Sequence, residues 1–98
     1  MAFSEQDIQR VWEKGAVAPP NDPNEWRKDV CTAWMNRKAY GNRDSPYGWE
    51  IDHIVPISAG GSDAISNLRP LHWRNNAEKQ ADRLTCPVKS SGTANVGI

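Results

Sequence analysis

The sequence has little of what marks several common classes of protein. Its 98 residues include only two cysteines, Cys31 and Cys86, which form no CxxC pair and are too few for a disulfide framework. No apolar run approaches the roughly 20 residues needed to cross a bilayer, so we expect no membrane contact. The first residues lack the basic and apolar regions of a signal peptide. Together these absences predict a soluble protein of the reducing cytoplasm.

An excess of charge of one sign is also missing, since 12 Lys and Arg side chains balance 12 Asp and Glu side chains. A dedicated nucleic-acid binder is usually clearly basic, so the neutral balance argues against tight DNA binding by the chain alone. The length predicts one domain over residues 1–98. A chain of this size buries a modest core, and we expect the five tryptophans to fill much of it.

The N-terminal part of the sequence predicts helices. Ser4 resembles a helix cap, and apolar residues recur after it at helical spacing, so we expect an amphipathic helix over residues 5–14. Residues 25–40 are expected to be partly helical. This second prediction rests on the spacing of four between Trp26, Val30 and Trp34.

The rest of the chain predicts a strand, a return strand and a helix. Residues 49–55 are rich in β-branched and aromatic side chains, as strands are. Residues 67–71 are the expected return strand, with Pro70 placing it at an edge or an end. A helical pattern follows over residues 72–84, with Ala77, Ala81 and Leu84 on one face. The small, polar residues 87–98 are expected to form a flexible tail.

Several polar residues lie along this strand–loop–strand–helix path, and folding of the path can bring them into one site. Asp52 and His53 end the first strand, and Asn67 follows fourteen residues after His53. Asn76 comes nine residues later, and Lys79 three residues after that.

This segment resembles the HNH nuclease family. The resemblance implies an α+β fold with a ββα-metal (His-Me finger) core, made of a short antiparallel hairpin and a helix over about residues 49–84, with additional N-terminal helices. It covers about a third of the chain and is specific because four separated pieces recur in order. These pieces are Asp52-His53-Ile54-Val55-Pro56, Gly60-Gly61, Asn67-Leu68 and Asn76-Ala77-Glu78-Lys79.

The family implies hydrolysis of DNA phosphodiester bonds, and the residue types suit that reaction. His53 would be the general base that activates water, because a neutral imidazole accepts a proton near pH 7. Asp52 and Asn76 would hold one divalent metal through oxygen atoms. Hard cations prefer such ligands, so Mg²⁺ is the expected ion, with Mn²⁺, Ni²⁺ and Zn²⁺ as alternatives. Asn67 would hold the loop and orient the base.

Further residues near this motif have supporting roles in the same prediction. Gln80 lies one helical turn after Asn76 on the expected helix, where some family members have a third, histidine ligand. Four basic side chains are candidates for contacts to DNA phosphates, which add affinity but carry no sequence information. They are Arg69, Arg74, Lys79 and Arg83.

The sequence departs from the family at the structural zinc that many HNH proteins bind through two CxxC pairs. The positions that correspond best hold Cys31 and Trp34 upstream and His72 and Asn75 downstream. Because a tetrahedral zinc needs four Cys or His ligands, we expect no structural zinc. Tryptophan packing by Trp34, Trp73 and Trp12 would replace it. One alternative remains, in which Cys86 joins Cys31 and His72 as a zinc ligand.

Each site residue also has a structural interpretation. His53 is a candidate core histidine, Asn76 a candidate helix cap, and the adjacent Asn75 is able to fill either role. Gly60-Gly61 fits a plain turn, and His72 is expected to be structural. A functional role for His53 is preferred because Asp52, Asn67 and Asn76 are in register with it.

Two classes of function follow from the sequence. The first is a metal-dependent DNA endonuclease that nicks or cleaves, acting as a monomer or dimer. The second is a non-catalytic binding module that keeps the fold, which the neutral charge and the missing zinc cysteines favour. Between them lies a nuclease that borrows DNA affinity from a protein partner, such as phage packaging or restriction machinery.

Overall fold

A computed structural model describes residues 3–80 and 83–98 of the chain. Short helices and three separate antiparallel strand pairs make up an α+β fold. The helices are α1 (Glu5–Trp12) and α2 (Trp73–Ala77), with 3-10 turns at Arg37–Ala39, Ile57–Ala59 and Ile65–Asn67; the strands are β1 (Trp26–Lys28), β2 (Trp34–Asn36), β3 (Trp49–His53), β4 (Leu68–His72), β5 (Lys89–Ser91) and β6 (Ala94–Val96).

The first helix, α1, forms where the sequence predicts it. The Ser4 side chain accepts a hydrogen bond from the Asp7 backbone at 3.1 Å and caps the helix. One face of α1 is apolar, and its Ile8, Val11 and Trp12 side chains are buried. This apolar stripe attaches the helix to the rest of the fold.

The prediction of helix through Trp26, Val30 and Trp34 is wrong. The segment is a hairpin in which β1 pairs with β2, so that Lys28 lies opposite Trp34. Val30 sits in the connecting turn and is 63% exposed. A spacing of four suits a helix face, but here other contacts decide the structure, because Asp29 accepts hydrogen bonds from the turn and the Trp34 indole donates to the Gly92 carbonyl.

The central hairpin joins β3 to β4, and α2 follows at once. Asp52 lies opposite Arg69, and His53 lies opposite Leu68. The helix is shorter than the predicted 72–84, because it ends at Ala77. Beyond it, the Gln80 and Arg83 backbones exchange hydrogen bonds of 3.0 and 2.9 Å, an arrangement that a continuing α-helix does not make. Leu84 therefore lies outside the helix, and Ala81 falls outside the described residues.

The C-terminal residues form a hairpin, so the expected flexible tail is also wrong. The strands β5 and β6 pair from Lys89 opposite Val96 to Ser91 opposite Ala94. Asn95 attaches this hairpin to β2: its side chain accepts from the Trp34 backbone N–H at 2.7 Å and donates to the Trp34 carbonyl at 2.9 Å. Just before the hairpin, Val88 is fully buried.

One apolar cluster connects the N-terminal elements to the central hairpin. Trp12 of α1 packs against Trp49 of β3, with ring centroids 5.2 Å apart, and Tyr40 lies 4.9 Å from Trp49 on another side. Large buried aromatics of this kind contribute much of the core of a small chain. The buried cluster consists of Ile8, Val11, Trp12, Met35, Trp49 and Leu68.

Cys31 and Cys86 form a disulfide that links the first hairpin to the segment before β5. The expectation of a reduced protein is therefore contradicted at this pair of residues. The alternative in which Cys31, Cys86 and His72 share a zinc ion is wrong as well, because both sulfur atoms are used by the S–S bond.

A buried aspartate, Asp29, joins the first hairpin to β4 and α2 through hydrogen bonds. It accepts from the backbone N–H groups of Cys31 and Ala33 at 2.9 and 2.8 Å. It also accepts from the His72 backbone N–H and from the Asn75 side chain, both at 3.0 Å. These hydrogen bonds connect the first hairpin to β4 and α2, and the disulfide connects it to the segment before β5.

His72 and the outer tryptophans complete this connection. The His72 ring accepts from the Arg74 backbone N–H at 3.1 Å, which caps α2, and contacts the Pro46 carbonyl at 2.8 Å. The Trp34 and Trp73 indoles donate to backbone carbonyls at 2.8 and 2.9 Å. In the described part of the chain, no helix has the length and apolar character needed to cross a membrane.

Candidate active site

An open cavity of about 290 Å³ lies at the end of β3, beside α2. Asp52 and His53 reach it from the last two positions of β3, and Asn76 reaches it from α2. The antiparallel register of β3 and β4 places α2 next to β3, because α2 begins directly after β4. The cavity is lined by Ile51, Asp52, His53, Pro56, Ile57, Asn76 and Lys79.

Asp52 is 4% exposed, and two cations hold its carboxylate. Arg69, its cross-strand neighbour, donates from Nε to Oδ2 at 2.8 Å. Lys79 places Nζ 2.5 Å from Oδ1 and 3.1 Å from the His53 carbonyl oxygen. A buried carboxylate is stable only when it is paired or bound to a metal, and here the two side chains supply that charge.

His53 is held by a carboxylate that the motif does not contain. Its Nε2 lies 2.6 Å from Oδ1 of Asp63, and the two side chains are 21% and 49% exposed. The Phe3 ring lies 6.2 Å from the imidazole, centroid to centroid. A carboxylate accepts hydrogen bonds only, so Nε2 carries the proton in this contact, and Nδ1 of a neutral ring has the free lone pair.

The loop that carries Asp63 is held by Asn67. The Asn67 amide accepts from the Val55 N–H at 2.8 Å, and it donates to the Val55 and Ser62 carbonyls at 3.0 and 2.8 Å. Gly61 fits because any Cβ there would lie 1.8 Å from the Val55 carbonyl oxygen. Asn67 thus closes the loop between β3 and β4 without lining the cavity itself.

Asn76 is oriented by a chain of polar contacts from outside the cavity. Its Nδ2 donates to Oε1 of Glu50 at 2.8 Å, and Arg43 donates to both Glu50 oxygens at 2.7 and 3.0 Å. Burial alone would raise the pKa of Glu50, but the hydrogen bonds from Arg43 and Asn76 outweigh it and lower the pKa. An ionised Glu50 accepts only N–H groups, so Asn76 keeps its amide oxygen for another partner.

The neighbouring Asn75 faces the interior instead. It is fully buried, donates to Asp29 and to the Val88 carbonyl, each at 3.0 Å, and accepts from the Val88 N–H at 2.8 Å. Of the two adjacent asparagines, Asn76 alone lines the cavity.

The remaining predicted residues are divided between the cavity and the surface. Arg69 and Lys79 contact Asp52, whereas Arg74 forms an ion pair with Glu78 and lies 5.9 Å from the Trp73 ring centroid. The prediction that Gln80 shares a helix face with Asn76 is wrong, because α2 ends at Ala77. Gln80 and the exposed Arg83 make the backbone bridge that follows.

The donor set determines which metal chemistry the cavity suits. Among residues 3–80 and 83–98, no three His, Cys, Asp or Glu side chains form a metal-binding group. Asp52 and Asn76 offer one carboxylate and one amide oxygen on a cavity open to water. This set fits a hard cation that keeps several water ligands, and the ammonium of Lys79 against Oδ1 of Asp52 marks the place as one that favours positive charge.

Sequence reasoning missed Asp63, Glu50 and Phe3. Asp63 stands ten residues after His53, and the pairing of Asn67 with Val55 brings it back to the strand end. A signal for it existed, since a loop that returns to its starting point places its later residues beside the earlier ones. Glu50 alternates with Asp52 along β3, but nothing in the sequence pairs it with Asn76.

A comparison with protein families agrees with this geometry. The family model described as HNH endonuclease matches residues 38–82, a little under half of the chain. The segment contains β3, β4, α2 and the whole cavity, and over these residues the chain is similar to HNH endonucleases. HNH proteins are nucleases that act on DNA and generally use a divalent metal. No curated protein and no solved structure matches the chain.

Proposed function

We propose that the protein is a metal-dependent endonuclease that hydrolyses DNA phosphodiester bonds at the cavity beside β3. One observation supports this proposal above the others. Asp52, His53 and Asn76 are separated by up to 24 residues along the sequence, yet all three line the same open cavity. In this proposal β3, β4 and α2 are the ββα-metal core, and the whole chain is one domain because α1 shares its apolar cluster with β3 and β4.

Asp52 and Asn76 would hold the metal. Their oxygens suit Mg²⁺, and the contact from Glu50 keeps the amide oxygen of Asn76 available. When bound, the metal supplies Lewis-acid stabilisation of the negative charge that develops on the phosphate and the leaving oxygen. Glu50 and Arg43 position Asn76 and do not contact the reacting atoms.

His53 would be the general base. Water attacks phosphorus, the bond from phosphorus to the leaving oxygen breaks, and a water proton passes to the imidazole. With Asp63 at Nε2, the lone pair that accepts the proton is on Nδ1. Asp63 sets the tautomer and supports the imidazolium that forms, while Asn67 holds the loop that carries Asp63.

DNA is the proposed partner, contacted through its phosphates. Arg74 and Arg83 lie outside the cavity and suit such contacts, while Arg69 and Lys79 already bind Asp52. The neutral net charge supports a protein partner, such as packaging or restriction machinery, that adds DNA affinity. The Cys31–Cys86 disulfide argues against the cytoplasmic location that the sequence led us to expect, because cytosolic thiols are kept reduced.

Cleavage of supercoiled plasmid tests the proposal. We expect nicking or linearisation with Mg²⁺ or Mn²⁺ that EDTA stops, and a loss of about 10²–10⁴-fold in rate for His53→Ala. Asp63→Asn should lose less, while Asp44→Asn, an exposed aspartate outside the cavity, should match the wild type. Circular dichroism and urea unfolding would verify that each variant folds. A fully active, folded His53→Ala variant would refute the mechanism.

The second candidate is a non-catalytic binding module that retains the fold. One observation favours it: both oxygens of Asp52 are bound by side-chain cations. It predicts that folded wild-type protein cleaves no plasmid with any divalent metal and still binds DNA in a gel-shift experiment. Wild-type cleavage that EDTA abolishes would exclude it.

A further inference from the structure

The carboxylate of Asp52 has more positive charge around it than its own single negative charge. Arg69 binds Oδ2 and Lys79 binds Oδ1, so the three side chains together carry a net charge of one plus. A divalent ion on the same buried carboxylate would raise that charge to three. Like charges this close together repel strongly, because little water lies between them to screen the interaction. We therefore expect one of the two side-chain cations to leave Asp52 when a divalent ion binds.

Of the two cations, Lys79 is the one able to leave. Arg69 lies on β4 directly opposite Asp52, so strand pairing fixes its position. Lys79 follows the end of α2, outside any helix or strand, and its ammonium is carried on a flexible four-carbon chain. Lys79 also lines the cavity together with Asp52 and Asn76, which places its ammonium among the atoms that would bind a metal.

We propose that Lys79 is an internal counter-ion that competes with the divalent metal for Asp52 and so sets the metal affinity of the site. This inference rests on the proposed function, because it assumes that Asp52 and Asn76 bind the metal. Without metal, the ammonium stabilises the buried carboxylate. Metal binding displaces it into the open cavity, and the metal affinity is lower by the free energy of the Lys79–Asp52 contact.

The competition predicts that removal of Lys79 changes metal affinity in the direction opposite to removal of a metal ligand. A residue that helps to bind a metal weakens binding when it is removed, whereas removal of Lys79 should strengthen it. A hydrogen bond between charged groups contributes enough to change an equilibrium by about tenfold or more. Asp52 keeps Arg69 as a partner in such a variant, so the protein is expected to fold.

Titration of the whole chain with Mn²⁺ alone, followed by electron paramagnetic resonance or calorimetry, tests this inference without any cleavage assay. We expect Lys79→Met to bind Mn²⁺ about tenfold more tightly than the wild type or better. Lys79→Arg keeps the charge and should remain near the wild type. The matched control is Lys89→Met, which removes an exposed lysine on β5 that does not line the cavity, and it should leave Mn²⁺ affinity unchanged.

Asp52→Asn separates the failure of this inference from the failure of the proposed function. If Asp52→Asn abolishes Mn²⁺ binding but Lys79→Met binds with equal or lower affinity than the wild type, the metal centre stands and the competition is refuted. If Asp52→Asn binds Mn²⁺ as the wild type does, or if neither the wild type nor Lys79→Met binds it, the metal centre is refuted and the inference with it. Binding by Lys79→Met alone would support the competition.

Discussion

Two buried aspartates, Asp29 and Asp52, divide the molecule into regions of different chemistry. They are 5% and 4% exposed, so both carboxylates are equally removed from water. Asp29 is surrounded by neutral donors: three backbone N–H groups and the amide of Asn75. Asp52 is held by two charged side chains, Arg69 and Lys79.

We interpret the difference as one between a structural aspartate, Asp29, and an aspartate of the proposed metal site, Asp52. Neutral donors fix a carboxylate in one position and leave its surroundings negative, as at Asp29, which joins the first hairpin to β4 and α2. At Asp52, under our proposal, two cationic partners with a surplus positive charge would make one of them exchangeable for a metal ion. The first arrangement suits a permanent junction, and the second suits a site that binds ions and substrate.

The largest expected effects come from replacing each aspartate by asparagine. Asp52→Asn should lower the rate of plasmid cleavage by about 10²–10³-fold, because a neutral amide binds a divalent cation poorly. Asp29→Asn should lower the free energy of unfolding by about 2–4 kcal/mol, because its amide NH₂ would face donors that need an acceptor. Plasmid cleavage and urea unfolding measure the two effects.

The comparison is wrong if Asp29→Asn mainly lowers cleavage or if Asp52→Asn mainly lowers stability. The folded fraction of Asp29→Asn should cleave at nearly the wild-type rate per molecule, measured well below its urea midpoint. If Asp29→Asn is stable but inactive, Asp29 belongs to the site and the division into two regions is wrong.

Reduction of the disulfide should affect the Asp29 region in the same way, through stability. The bond joins residues 55 positions apart, and a loop of that length lowers the entropy of the unfolded chain by an equivalent of about 4 kcal/mol. The double variant Cys31→Ser, Cys86→Ser should therefore unfold at a clearly lower urea concentration. Wild-type protein in excess reductant is the control, and equal urea midpoints for oxidised and reduced protein would contradict the expectation.

The adjacent residues Asn75 and Asn76 allow the same comparison between two neighbouring positions. Asn75→Ala should cost about 2 kcal/mol or more of stability, since it removes the side chain that binds the buried backbone N–H and carbonyl of Val88 and takes one of two donors from Oδ2 of Asp29. Asn76→Ala should change stability little but weaken Mn²⁺ binding and slow cleavage. Each variant is the control for the other in paired unfolding and titration experiments, and equal effects of both on stability would remove the distinction.

The smallest expected effect is a pH dependence from His72. Burial lowers its pKa below the ordinary 6.5, although the Pro46 carbonyl and the carboxylates of Asp29 and Glu50 oppose this. A lowered pKa means that the unfolded chain takes up the proton more readily, so the stabilising contribution is present above pH 6.5 and is lost as the pH falls through the folded pKa. Protonation of the ring nitrogen that accepts from Arg74 would also remove the cap of α2.

Urea midpoints measured from about pH 7 down to about pH 5 would detect this loss, because histidine titrates in that range. His72→Asn keeps a side chain that caps helices well and does not titrate, so its stability should change less with pH than that of the wild type. An identical pH dependence in both proteins would show that other groups are responsible.

Local patterns in the sequence were sufficient for the parts of the fold whose partners lie nearby. The Ser4 cap and the apolar stripe after it predicted α1, and the β-branched run before His53 predicted β3. The spacing of Asp52, His53 and Asn76 predicted the residues that the cavity brings together. Their roles in catalysis remain predictions until variants are measured.

The errors have a common physical origin in contacts between distant residues. Trp34 has a helical spacing from Trp26, but its partners are Asn95 and Gly92, about 60 residues away. Val88 looked like part of a polar tail, but Asn75 binds its backbone in the interior. The spacing of residues along the chain does not indicate such distant partners. Local patterns therefore favoured a helix and a tail.

The buried position of Val88 limits how far the chain could be shortened and still fold. The family match stops at residue 82, yet the backbone groups that satisfy Asn75 come from beyond it, and the apolar cluster draws Ile8, Val11 and Trp12 from well before it. A fragment cut to the matched segment would expose that cluster to water and lose both ends of the disulfide. We therefore do not expect the matched segment to fold on its own. Any fusion or graft has to include the flanking residues from α1 to β6.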